Sequence, residues 1–90
     1  MALSHGMDVS QVQSSAGKIK QFASELGEIQ QAATNQVNTM HENWKGPDSD
    51  NYANEWQSQS KAFTSAISML NHMAQKADQE AQQQVSTSAT

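Results

Sequence analysis

The sequence predicts an all-α chain, an antiparallel helix–turn–helix hairpin that dimerises into a four-helix bundle. Three observations predict it. Apolar residues recur every third or fourth position through two long stretches, a Gly-Pro step separates the stretches at the midpoint, and only 36% of the 90 residues are apolar. The first two give two helices and a turn. The third leaves a hairpin too poor in core to stand by itself.

Helix one is expected over residues 8–43. Its stripe runs Val9, Val12, Ala16, Ile19, Ala23, Leu26, Gln30, Ala33, Val37, Met40 and Trp44, alternating three and four, with one polar break at Gln30. Phe22 and Ile29 widen the stripe on one flank, as in a helix with more than one neighbour. Asp8 can cap the amide of Gln11, and Met7 can staple onto Val12. Such a helix is about 50 Å long at 1.5 Å per residue. Gly17 and Gly27 each weaken it by up to ~1 kcal/mol and read as tolerated surface positions.

The turn is "WKGP", residues 44–47. Gly46 accepts the left-handed conformation that ends a helix, and Pro47 forbids continuation because it lacks an N–H. Lys45 lies where the C-terminal dipole favours a cation. A connection this short makes the helices antiparallel.

Helix two is expected over residues 48–84. Asp48, Ser49 and Asp50 supply caps and negative charge at its start. Its stripe is Tyr52, Trp56, Gln59, Phe63, Ala66 with Ile67, Leu70, Met73, Ala77 and Ala81. The small polar residues 85–90 are expected to be a disordered tail.

Two such stripes are wider than one seam. Burial contributes roughly 25 cal/mol per Å², against about 1.5 kcal/mol per ordered residue. Stacking two hairpins as a bundle buries both stripes, so association is expected to be part of the fold. Leu26, Ile29, Tyr52, Trp56, Phe63 and Leu70 are the residues expected in the core or the dimer face.

Composition narrows the function. A net charge of −4 and a pI near 5.1 argue against nucleic acid or an anionic membrane as partner. No run of about 18 apolar residues is present to span a bilayer. Without cysteine there are neither disulfides nor thiolate metal sites. The start, "MALSHGMDV", lacks the basic and apolar regions of a Sec-type signal peptide. If the chain leaves the cell, it uses another route.

Motifs for catalysis or cofactors fare poorly. "HENWK" begins like the HExxH zinc motif, but Lys45 stands where the second histidine belongs, and His5, His41 and His72 are far apart. "DSDNYANE" starts like a calcium loop, then places Ala53 where that loop needs Gly, so capping explains its acids better. The chain therefore reads as a non-enzyme with no cofactor. Trp44 differs from the other aromatics in sitting at the end of its helix. There it is either a lid on the bundle end or a residue presented to a partner.

A chain of this length with Trp44-Lys45-Gly46 at its centre, and with Tyr52 and Trp56 early in the second helix, resembles the WXG100 family of ESAT-6/CFP-10-like proteins. The resemblance covers essentially the whole chain. It implies a small substrate of the type VII (ESX) secretion machinery, pairing with itself or a paralogue and exported folded. It would be a secreted effector, or a secretion partner and chaperone of another substrate. The resemblance also implies a type VII secretion ATPase as partner, a cytoplasmic location before export and a secreted one after it. One family feature is missing. Many family dimers carry a C-terminal Tyr-x-x-x-Asp/Glu export signal, and the single tyrosine here, Tyr52, is near the middle. The rival readings are an intracellular helical adaptor, or a chaperone-like partner of a larger toxin. An enzyme subunit whose chemistry lies on another chain is a third.

Overall fold

The computed structural model describes residues 6–89, which form two helices, α1 (Val9–Asn43) and α2 (Pro47–Ala89). They lie antiparallel as a hairpin with extents of 67 × 18 × 16 Å. The radius of gyration is 20.1 Å, whereas a compact domain of this length has about 12 Å. The molecule is a rod, with one seam and no enclosed centre.

Local chemistry accounts for the ends. Asp8 caps α1 in an extended conformation, and its Oδ1 accepts from the Gln11 N–H at 3.1 Å. α1 stops at Asn43, whose side chain donates to the Thr39 carbonyl at 2.7 Å. Trp44, at the C-cap, is extended, with φ −136° and ψ 105°. The cap role expected of Gly46 at the end of α1 therefore falls to Trp44. Gly46 instead turns the chain into α2. Its φ is +130°, a conformation L side chains rarely adopt, and its carbonyl accepts the Asp50 N–H at 3.2 Å. Pro47 follows as the first helical residue, where its missing N–H removes no helix bond. Asp48 and Asp50 then lie against the positive end of the helix dipole.

α2 runs on past Gln84, through residues expected to be disordered, to Ala89, leaving Thr90 outside the described residues. No Gly or Pro stands between Ala81 and Ala89 to interrupt it. Each added residue contributes one helical bond without a new nucleation cost.

The seam on α1 follows the expected stripe, with Ala16 and Ala23 buried and Ile19, Leu26, Gln30, Ala33 and Val37 half-buried. On α2 seven of the ten expected residues, Trp56, Phe63, Ala66, Ile67, Leu70, Ala77 and Ala81, are buried or half-buried, while the other three give way to neighbours one residue along. Ser49, Ala53, Trp56, Ser60, Phe63, Ile67, Leu70, Ala74, Ala77 and Ala81 form the a and d seam, all buried or half-buried, with Ala66, Asp78 and Gln84 half-buried beside it. Tyr52 and Met73 are 51% and 50% exposed, and Gln59 is exposed too. Two registers one residue apart were open to this helix. The one with Ala53, Ser60 and Ala74 wins because small residues let the helix backbones approach. In heptad letters the seam is a and d on both helices, with Gln30 and Ser60 at a.

Among the described residues, the four buried hydrophobic ones, Ala16, Ala23, Ala74 and Ala81, are all small, and the largest fully buried side chain is Ser49. The Ser49 Oγ finds no hydrogen-bond partner.

The glycines test this geometry. A Cβ on Gly17 would meet nothing within 4 Å, while Gly46 has open space but an unfavourable φ. Gly17→Ala should therefore stabilise the fold by about 0.5–1 kcal/mol. Gly46→Ala should destabilise it by about 1–3 kcal/mol. Urea midpoints of the two variants, measured at one protein concentration, should move in opposite directions.

Candidate interaction face and hairpin tip

The two long edges of the hairpin differ in chemistry. In an antiparallel pair, e positions of both helices flank the seam on one side and g positions on the other.

The e side is polar and cross-linked. Near the open end, Lys20 Nζ donates to Asp78 Oδ2 at 3.0 Å. At the middle, the Gln30 amide donates to the Ser60 carbonyl at 3.0 Å, Ser60 Oγ at 2.8 Å and Thr64 Oγ1 at 3.0 Å. Two amide hydrogens are shared among those three acceptors. Beside it the Trp56 indole N–H donates to Thr34 Oγ1 at 2.9 Å, and that hydroxyl donates to the Gln30 carbonyl at 2.8 Å. Near the turn, His41 Nε2 lies 2.7 Å from Asp50 Oδ1. The exposed pairs are screened by solvent and contribute little each. The half-buried Gln30 cluster is the stronger tie, because its geometry is directional and partly desolvated.

The g side is apolar and uncovered. Phe22 and Ile29 of α1 are each 54% exposed, and Tyr52, Met69 and Met73 of α2 are 51%, 56% and 50% exposed. Shallow open grooves run between the helices along this side. One of about 270 Å³ is lined by Ala33, Val37, Tyr52, Glu55, Trp56 and Gln59. A second of about 200 Å³ is lined by Leu26, Ala62, Phe63 and Ala66. These apolar residues extend over both helices, interrupted by Gln36, Glu55 and Gln59, and exposed apolar surface of this kind marks association sites.

The tip closes on aromatic contacts. Trp44 is 41% exposed, and its ring lies 6.1 Å from that of Tyr52 at 60°. Trp56 and Phe63 form a second tilted pair at 5.8 Å and 54°. Trp44 thus lies against Tyr52 while part of its side chain faces solvent.

The structure places the residues singled out from sequence in three settings. Leu26, Trp56, Phe63 and Leu70 line the seam half-buried, Ile29 and Tyr52 lie on the open face, and Trp44 and Gly46 form the turn. The polar edge escaped sequence reading, although its signal was present. Lys20, Thr34, His41, Asp50, Thr64 and Asp78 all fall at e positions once the seam is known. Among the described residues no group of His, Asp and Glu is placed to hold a metal ion. No helix among them is long and apolar enough to cross a membrane.

The middle of the polar edge gives a stability test. Gln30→Ala removes the cross-helix donor and should cost about 1 kcal/mol. Trp56→Phe keeps an aromatic ring but removes the indole N–H that Thr34 Oγ1 accepts, and should cost a similar amount. Because the two belong to one cluster, the double variant should cost less than the sum in a denaturation cycle.

Comparison with known proteins agrees with these features. A family model described as WXG100, proteins of 100 residues with WXG, matches residues 6–87. No curated protein and no solved structure matches the chain.

Proposed function

This chain belongs to the WXG100 family, and on that premise we propose that it is a small substrate of a type VII (ESX) secretion system, exported as a folded pair of hairpins. It is cytoplasmic before export and secreted after it, by the type VII route. It acts as a secreted effector, or as the secretion partner and chaperone of another substrate. Its partners are a second hairpin of the same kind, its own copy or a paralogue, and the secretion ATPase.

The observation that carries this reading is the uncovered apolar strip. A hairpin with Phe22, Ile29, Tyr52, Met69 and Met73 half in water gains most by packing that side on another hairpin. The polar edge stays outside such a pair. Tyr52, the single tyrosine of this sequence, sits near the tip, and the residue four positions on is Trp56.

If folding and pairing are linked, the thermal midpoint should rise with protein concentration. A cooperatively folded monomer at micromolar concentration in light scattering would sink the pairing reading. In the producing strain, the protein should reach the culture supernatant only when the secretion ATPase is intact; ATPase-independent appearance, or retention in cells, would favour the intracellular adaptor.

Trp44 separates a structural from a presented role. Its exposed indole beside a neutral turn suits an anchor for the export machinery. Trp44→Ala should leave a folded pair that is secreted at least tenfold less. Secretion at the parental level from a stable pair would confine Trp44 to covering Tyr52.

A further inference from the structure

The negative charge of this chain gathers at one end. Gln30 bonds Ser60 at the middle of the hairpin, so residues 30–60 form the half that carries the turn. That half holds four carboxylates, Glu42, Asp48, Asp50 and Glu55, against one lysine, Lys45, and so accounts for three of the four net negative charges. Among the described residues the ion pairs are those of Asp78 and Asp50, and the Glu55 carboxylate takes part in neither.

Glu55 is also one of the six residues lining the groove of about 270 Å³ between the helices, with Ala33, Val37, Tyr52, Trp56 and Gln59. The Trp56 ring is fixed there from two directions. Its N–H donates to Thr34 Oγ1 at 2.9 Å, and its ring centroid lies 5.8 Å from that of Phe63. This wall of the groove therefore stands in place before anything binds. Tyr52, half exposed, forms a second aromatic wall.

The groove thus combines aliphatic surface, two aromatic rings and an unpaired carboxylate. An apolar side chain would suit the walls but strip water from the Glu55 carboxylate without replacing it, which is costly. An acidic one would be repelled. A long cationic side chain meets all three features: its methylene stem lies on Ala33 and Val37, and its head meets the rings and the carboxylate. A guanidinium suits this better than an ammonium. It is planar, stacks on aromatic faces, is more weakly hydrated, and can donate two parallel N–H bonds to one carboxylate.

We propose that this groove is a site for an arginine side chain of a protein partner. The chain itself contains no arginine; its five Lys and Arg residues are Lys18, Lys20, Lys45, Lys61 and Lys76. The arginine therefore belongs to a different protein. The other carboxylates of the tip half act in the same sense, because charge complementarity favours a basic partner and speeds its encounter. The proposal rests on the reading that a protein partner covers this face. It adds the chemistry that the partner brings, and a means by which the face tells another protein from a copy of this chain.

The probe is an alanine- and glutamine-based helical peptide with two leucines one heptad apart and a single arginine between them. Two further versions carry lysine or citrulline at that position; citrulline keeps the shape of arginine without its charge. Each is titrated at low salt into the full-length chain, and binding is read from the NMR signal of the Trp56 indole N–H. The arginine version should bind about tenfold more tightly than the citrulline version and about threefold more tightly than the lysine version. Glu55→Gln, shown by circular dichroism to keep its helices, should bring the three within about twofold of one another. The same variant should leave self-association unchanged, because a copy of the chain has no arginine to place there.

Equal binding of the arginine and citrulline versions overturns the proposal, as does an arginine preference that survives Glu55→Gln. Equal binding of arginine and lysine overturns it too, since the groove then reads charge alone. Weaker self-association of Glu55→Gln overturns the choice of occupant, because a lysine of a copy then fills the groove. In each of these cases the reading that a partner covers this face still stands. If none of the peptides binds, the arginine site is overturned. The pairing reading falls with it only when the thermal midpoint is also independent of concentration, alone and in mixtures with other hairpins.

Discussion

A single seam between two helices cannot enclose a large side chain. Every other feature of this molecule follows from that limit. Each helix covers its neighbour from one direction only, so a leucine or phenylalanine on the seam keeps a flank in water. Only residues as short as alanine and serine disappear completely, as Ala16, Ala23, Ala74, Ala81 and Ser49 do. Leu26, Trp56, Phe63 and Leu70 remain half-buried. At roughly 25 cal/mol per Å² of apolar area, the surface they leave exposed is a large unspent share of the available stabilisation.

The two edges respond to this limit in opposite ways. Along the e side, directional bonds join the helices at three heights, through Lys20 and Asp78, the Gln30 cluster, and His41 and Asp50. A sliding helix would break them, so they fix register and orientation while adding little stability each. Among the described residues the g side carries no such bonds between the helices. Its residues are long and deformable, with Met69 and Met73 suited to irregular surfaces. One edge is finished and the other is open. That asymmetry leaves the hairpin with one edge bonded across the helices and one with exposed apolar side chains.

The tip joins the two behaviours. A three-residue connection brings α1 and α2 into contact immediately, and this requires Gly46 at φ +130° followed by Pro47. Because α1 ends at Asn43, the Trp44 ring has no following helical turn to cover it. It leans on Tyr52, which itself belongs to the open face. The Trp-x-Gly tripeptide is thus a geometric unit. Glycine permits the turn, and the turn sets the tryptophan at the end of the apolar strip.

Much of the fold was legible in the sequence. Alternating three–four spacing reports which residues share a helix face, the Gly-Pro step reports where the chain turns, and the low apolar fraction reports that the core is incomplete. These are local properties, fixed by backbone geometry and residue size. Which of two adjacent stripes on α2 would meet α1 was not local. Tyr52, Gln59 and Met73 lie one residue from Ala53, Ser60 and Ala74, and both sets keep the heptad period. Only the approach of the two helices decided between them, because close packing favours the smaller set and leaves the larger on the open side. The same approach created the polar edge, since Gln30 and Thr34 have no partners until Ser60, Thr64 and Trp56 arrive beside them. The sequence by itself determined the helices, the turn and the shortage of core. Tertiary packing decided which faces meet, because periodicity fixes a residue's angle around its own helix and says nothing about the neighbouring helix's angle.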